Sequence, residues 1–268
     1  MTHEAWDPQR TVTIESLSDI TSWIERTYPG PSTVFFRGQG ADRPLLPSLA
    51  RLRPRRAGLD LLATEQKLLR AFQRRSLPFL EMRPETIWDW LAVAQHHGLP
   101  TRLLDWSVNA LSAVWFAVER PAKAADDPKR RGVVWAFATR EGPVEEGGDF
   151  VSGTRNDEPS RAFSLGRSCV LVPRYVSKRI VAQGGYFTVQ ASLPKVPYFV
   201  GLEQEMAFAD RLWKLVIPAE RFPAIRHQLT RMGTNAMSIY PDLVGLCRDI
   251  KWRYALADDE VAAEPGQA

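Results

Sequence analysis

The sequence predicts an α+β fold, a single domain with amphipathic helices packed on a mostly antiparallel sheet. Three observations lead there. Apolar residues at helical spacing crowd the first half, strand-like runs of β-branched and aromatic residues dominate the second, and the two kinds of element do not alternate as in a parallel α/β sheet. A length of 268 residues, 44% hydrophobic and 25% charged, suffices for one sizeable core. We read residues 1–15 as an N-terminal lead-in, 16–256 as the domain and 257–268 as an acidic C-terminal tail.

Each element has its own signal. Ser16 is a helix-capping type, and Leu17, Ile20, Trp23 and Ile24 follow at helical spacing, ending before Pro29-Gly30-Pro31. Ser32–Gln39 is rich in β-branched and aromatic residues and reads as a strand, with Arg37 at its end. An irregular basic connection follows, then an amphipathic helix over 60–72. Thr86 caps a predicted helix over 87–97, which Gly98 and Pro100 terminate. The polar centre from Gln95 to Ser107 reads as a loop, and 109–119 as a second apolar helix. Gly132–Thr139 is a buried type of strand, and 140–165 a long loop. Strands are predicted at 169–173, 180–190 and 213–217, and helices at 221–232 and 243–254.

Composition excludes several classes. The formal charge of +4 does not by itself imply nucleic-acid binding, although arginines gather between Arg43 and Arg75. Cys169 and Cys247 are far apart, so neither a disulfide framework nor a cysteine zinc site follows. No HExxH pattern is present, and His96 and His97 are adjacent, so we expect no metal. With no signal pattern and no apolar run of membrane-spanning length, a soluble cytoplasmic protein without membrane partners is expected. P-loop, Rossmann and GxSxG patterns are absent.

Candidate site residues emerge from chemistry. Arg37, amid apolar residues at a strand end, suits bidentate phosphate contact, and Gly38 would let a ligand approach the backbone. His96 is either a general base or ribose contact, or a helix-ending residue that satisfies carbonyls. Thr101, Arg102 and Asp105 lie within a turn of each other, and an Arg102–Asp105 ion pair would brace the loop and position Trp106 and Ser107, the indole being available to stack. Gln183 precedes two glycines, a sign of close backbone approach.

Several stretches in this order resemble the FRG domain family of bacterial proteins: Phe36-Arg37-Gly38-Gln39, Leu46–Arg51, the segment Gln95–Ser107 with the helix after it, Arg179–Thr188 and Tyr240–Gly245. His97 departs from the usual tyrosine, and Ser107 from the common threonine. The family occurs in bacterial conflict and phage-defence contexts. The aromatic-Arg-Gly strand also resembles the first motif of many ADP-ribosyltransferases, whose arginine holds a phosphate or ribose of NAD. That likeness implies an ADP-ribosyltransferase-like split sheet and NAD as substrate, with Arg37, Gly38, Gln39, Thr101, Arg102, Asp105, Trp106 and Ser107 around it. Leu103–Ser107 with the following helix would be the second motif and Gln183 the third, with Glu203 and Glu205 as alternative carboxylates. Arg37, Gln183 and His96 would be catalytic, and Arg51, Arg53, Arg55 and Arg56 would hold a nucleic-acid or protein acceptor, a cognate inhibitor protein being a further partner. Two other readings remain open: a non-enzymatic nucleotide- or nucleic-acid-binding sensor, and a metal-independent nuclease using His96 and Asp105.

Overall fold

The computed structural model describes residues 7–55, 60–80, 82–122, 131–139, 150–152, 163, 165–172, 185–191 and 199–261. In chain order the strands are β1 (Thr11–Thr13), β2 (Val34–Gln39), β3 (Leu103–Ser107), β4 (Arg131–Ala138), β5 (Phe150–Ser152), β6 (Cys169–Val172), β7 (Gly185–Val189) and β8 (Trp213–Pro218). The helices are α1 (Leu17–Thr27), α2 (Leu61–Ser76), α3 (Ile87–His96), α4 (Ala110–Val118), α5 (Met206–Ala209), α6 (Phe222–Arg231), α7 (Ala236–Ile239) and α8 (Leu243–Tyr254). The α+β class follows from this set.

The strands form one mixed sheet in the order β1-β8-β4-β2-β3-β7-β6-β5. Only the β1–β8 and β5–β6 pairs are parallel, so the sheet is mostly antiparallel. Its halves are unequally joined. β2 pairs with β4 over six positions and β3 with β7 over five, whereas β2 meets β3 at Phe36 opposite Ser107 alone. The sheet is therefore continuous but splays between β2 and β3, rather than dividing into two separate sheets.

Alternation along the strands sorts side chains to the two faces. Phe36, Val134 and Ala136 pack beneath α1, α4 and α6, with Trp23, Val114, Trp115 and Phe222 in the same cluster. Leu103, Leu171, Phe187 and Val189 carry α2 and α3 through Leu69, Trp88 and Leu91. Phe35, Trp106, Trp135 and Phe137 form a third cluster with Leu45, Phe208 and Leu212. Local signals fix the ends of the helices bordering the splay. Thr86 and Asp89 form a capping box at the start of α3, and the Asn109 carboxamide accepts from Leu111 and Ser112 N–H at the start of α4. Gly98, at φ 85°, turns the chain out of α3 toward β3.

Three expectations change. The segment read as lead-in contains β1, whose pairing with β8 places Val12 opposite Leu215. The polar centre contains a strand, because Leu103, Leu104 and Trp106 have buried places on both faces of the sheet. The long loop over 140–165 contains β5, paired with β6. The first part of the strand read over 180–190 lies outside the described residues.

Candidate functional site

The splay between β2 and β3 opens a cleft of about 220 Å³. Its floor comes from Phe36–Gly38, Asp105–Ser107 and Gly185–Phe187, and its walls from Ala92, Gln95 and His96 on α3 and Ala113 and Phe116 on α4. The strands diverge beyond a single backbone pairing, so side chains fill the gap.

Arg37 spans that gap. Its Nη1 donates to the Asp105 carbonyl at 2.7 Å and stands 3.6 Å from Asp105 Oδ2. Among the described residues the rest of its guanidinium finds no acceptor, and Nε is buried without one. Burial pushes the guanidinium below its ordinary value, Asp105 opposes the shift, and the charge of Arg51 adds to it. An arginine fork that is largely unspent and desolvated is a strong anion contact.

Asp105 is held in turn by a relay that begins at some distance. Ser48 Oγ donates to the Thr101 carbonyl at 3.2 Å, the Thr101 hydroxyl donates to Gln95 Oε1, and Gln95 Nε2 donates to Asp105 Oδ1 at 2.9 Å. Gln95 is thus fixed in orientation, with its amide donor on the carboxylate. The Asp105 side chain is 61% exposed and faces the cleft as its carboxylate, while Arg37 is 20% exposed.

Several residues read as ligand contacts have other work. Arg102 is fully buried and pairs with Glu65 on α2: its backbone N–H donates to Glu65 Oε1 at 2.8 Å, and Nε lies 3.2 Å from Oε2. The expected Arg102–Asp105 pair does not form, since three positions along a strand put the two side chains on opposite faces. Burial raises the Glu65 carboxyl and lowers the Arg102 guanidinium, their mutual attraction opposing both shifts. Trp106 is 3% exposed, donates Nε1–H to Thr188 Oγ1 at 3.0 Å and packs edge-on against Phe137, so its indole belongs to the core.

Gln39 accepts from Trp135 Nε1 at 3.2 Å and lies outside the cleft. Gly38 lines the cleft and also admits α4 against β2. A Cβ there would stand 1.8 Å from the Ala113 carbonyl oxygen, because α4 lies directly on β2. Gly132 on β4 admits the same helix at Ala117.

Thr101 is fully buried and acts through Gln95. Ser107 lines the cleft, and its Oγ accepts from Asn109 N–H at 2.9 Å. His96 lines the cleft from the last turn of α3, edge-on to His97 at 4.8 Å. Arg51, Arg53 and Arg55 are exposed, Arg51 donating to the Leu46 carbonyl, whereas Arg56 and Gln183 lie outside the described residues.

The alternative carboxylates sit apart from the cleft. Glu203 accepts from Leu45 N–H at 3.0 Å. Burial pushes Glu205 up to about 7, opposed by a hydrogen bond to Ser168 and reinforced by Glu203. Sequence reading missed Gln95 as a site residue, although its place beside His96 at a helix end was a signal. It also missed Phe116 and Tyr186, whose cleft positions follow only from the packing of α4 and β7.

No group of three or more His, Cys, Asp or Glu suited to a metal occurs among the described residues, and no helix there is long and apolar enough to cross a membrane. No curated protein and no solved structure matches the chain. A family model does match, over residues 32–126, the span that contains β2, α2, α3, β3 and α4 and supplies every cleft wall except the β7 floor. The model is that of the FRG domain, and within the matched span the Phe36-Arg37-Gly38 sequence lies at the point where the sheet opens.

Proposed function

We propose that the cleft binds NAD and that the protein is an ADP-ribosyltransferase-like enzyme, an effector of bacterial conflict or phage defence acting on a nucleic-acid or protein acceptor. One observation carries this reading: Arg37, at the splay of the sheet, presents a desolvated guanidinium whose donors are mostly unspent among the described residues, beside an exposed carboxylate held in place. The arginine suits a pyrophosphate. Phe116 and Tyr186 offer aromatic surface for a flat ring.

In the transfer, the bond between ribose C1′ and the nicotinamide nitrogen breaks, and nicotinamide leaves with the bonding pair. The Asp105 carboxylate, oriented by Gln95, stabilises the positive charge that grows on the ribose. The acceptor nucleophile then bonds to C1′ and gives up its proton, for which His96 is the base in the cleft. Gln183, two positions before Gly185, is the further candidate for the ribose.

The test is incubation of the full chain with NAD labelled in its adenylate part and a cell extract, following released nicotinamide and label on macromolecules. Wild type should show both. Arg37→Ala should weaken NAD binding, and Asp105→Asn should lower turnover by about 10²-fold with little change in binding. Absence of both nicotinamide release and label transfer would overturn the transferase reading. Arg51, whose charge reaches Arg37, and the exposed Arg53 and Arg55 that follow it in sequence favour a second reading, a nucleotide- or nucleic-acid-binding sensor, and salt-dependent binding without NAD turnover would select it. Metal-independent RNA cleavage lost in His96→Ala would instead mark a nuclease.

A further inference from the structure

α4 has two working faces. Ala113 and Phe116 line the cleft, while Trp115 and the end of the helix border a separate groove of about 350 Å³ against α6, α7 and α8. The groove falls within the size range of small-molecule sites. Its aromatic surface comes from Trp115 and Tyr240, edge-on at 5.6 Å, with Trp252 beside them.

Two polar groups in this lining are in an unusual state. Asp249 is 6% exposed, and its Oδ2 accepts from Arg253 Nε at 2.8 Å. Its Oδ1 is buried with no hydrogen-bond partner among the described residues, and so is the indole N–H of Trp252. The two residues are three apart on α8 and therefore share a face of the helix. One spare acceptor and one spare donor are thus carried by residues of the same helix that line the groove's aromatic wall. Their complement is the edge of a heteroaromatic ring that places an N–H next to a ring nitrogen or carbonyl, the arrangement of a nucleobase.

The cations of the groove supply the other half of the recognition. Arg120 is 81% exposed, with its Nε 4.0 Å from Glu119, and the Arg248 guanidinium lies 5.0 Å from the centre of the Tyr240 ring. Arg226, by contrast, is committed to Asp259 and Glu260. Arg120 and Arg248 therefore remain for a phosphate.

We propose that this groove is a second nucleotide site, which takes a nucleoside monophosphate with its base against Trp115 and Tyr240. The base edge bonds to Asp249 Oδ1 and the Trp252 N–H, and the phosphate bonds to Arg120 and Arg248. This inference stands independently of the function assigned to the cleft.

Isothermal titration of the full chain with AMP tests it, with adenosine and ribose 5-phosphate as partial probes. AMP should bind saturably and more tightly than either fragment. Replacing both Arg120 and Arg248 with Ala should weaken AMP by at least about 10-fold without lowering Tm. Trp252→Phe, which keeps the ring and removes the donor, should weaken AMP and adenosine alike but leave ribose 5-phosphate unchanged. Arg37→Ala should leave AMP binding intact. Absence of saturable AMP binding would overturn the proposal, and so would binding that survives the double replacement or disappears in Arg37→Ala.

Discussion

Gly38→Ala separates two meanings of the aromatic-Arg-Gly sequence. If the glycine exists to admit a ligand, a methyl group there lowers ligand affinity and leaves the fold intact. The packing gives a different answer. The added Cβ would stand 1.8 Å from the Ala113 carbonyl oxygen and 2.9 Å from the Ala117 amide nitrogen, both backbone atoms of α4. Restoring van der Waals distance requires α4 to retreat by roughly 1.5 Å. Overpacked substitutions cost about 1–3 kcal/mol, and a backbone obstacle cannot rotate away, so the upper end applies. For a domain of this size about 3 kcal/mol corresponds to a fall in Tm of about 6–12 °C. Gly40→Ala is the matched control: its Cβ would meet nothing closer than 3.9 Å, and it should shift Tm by less than about 2 °C. Differential scanning calorimetry of both variants reads the comparison. Equal Tm values for Gly38→Ala and wild type would refute the packing argument.

Further perturbations address separate parts of the fold. Unfolded, Glu205 titrates near 4.5, and burial raises it to about 7 in the folded chain, so the native state holds a proton that the unfolded state has lost between those values. Its contribution to stability therefore declines as pH rises across that window, by about 3 kcal/mol at most, and Glu205→Gln should be near neutral at pH 4 and stabilising by about 2 kcal/mol at pH 8 in urea titrations. Glu65→Ala removes the carboxylate that faces the buried Arg102 and should cost about 3–5 kcal/mol, measured by equilibrium unfolding. Asn109→Ala removes the cap of α4 and should cost about 1 kcal/mol in the same assay.

Elements with strong periodicity were legible from sequence. The helix read over 243–254 coincides with α8, and the strand holding Arg37 ends at Gln39 as read. Arg37 itself was recognisable because a cation among apolar residues at a strand end needs a partner. The partners were less visible. Glu65 lies 37 residues from Arg102, and nothing local signals that α2 will deliver a carboxylate to the start of β3. Reading Thr101–Ser107 as a loop made an i, i+3 pair plausible, whereas strand geometry forbids it. Trp106 looked like a stacking platform because its polar neighbours suggested exposure, yet Phe137 and Thr188 from distant strands enclose it. The sequence also hid the role of Gly38, since the proximity of α4 is a property of the layers.

The join between β2 and β3 has a mechanical consequence. Where neighbouring strands would exchange a ladder of peptide hydrogen bonds, this pair has one register position and a guanidinium bonded to the Asp105 carbonyl. Arg37 acts as a removable rung. An anion that claims the same guanidinium competes with the sheet for it, so occupancy of the cleft and shear stiffness between the two halves of the sheet draw on one side chain.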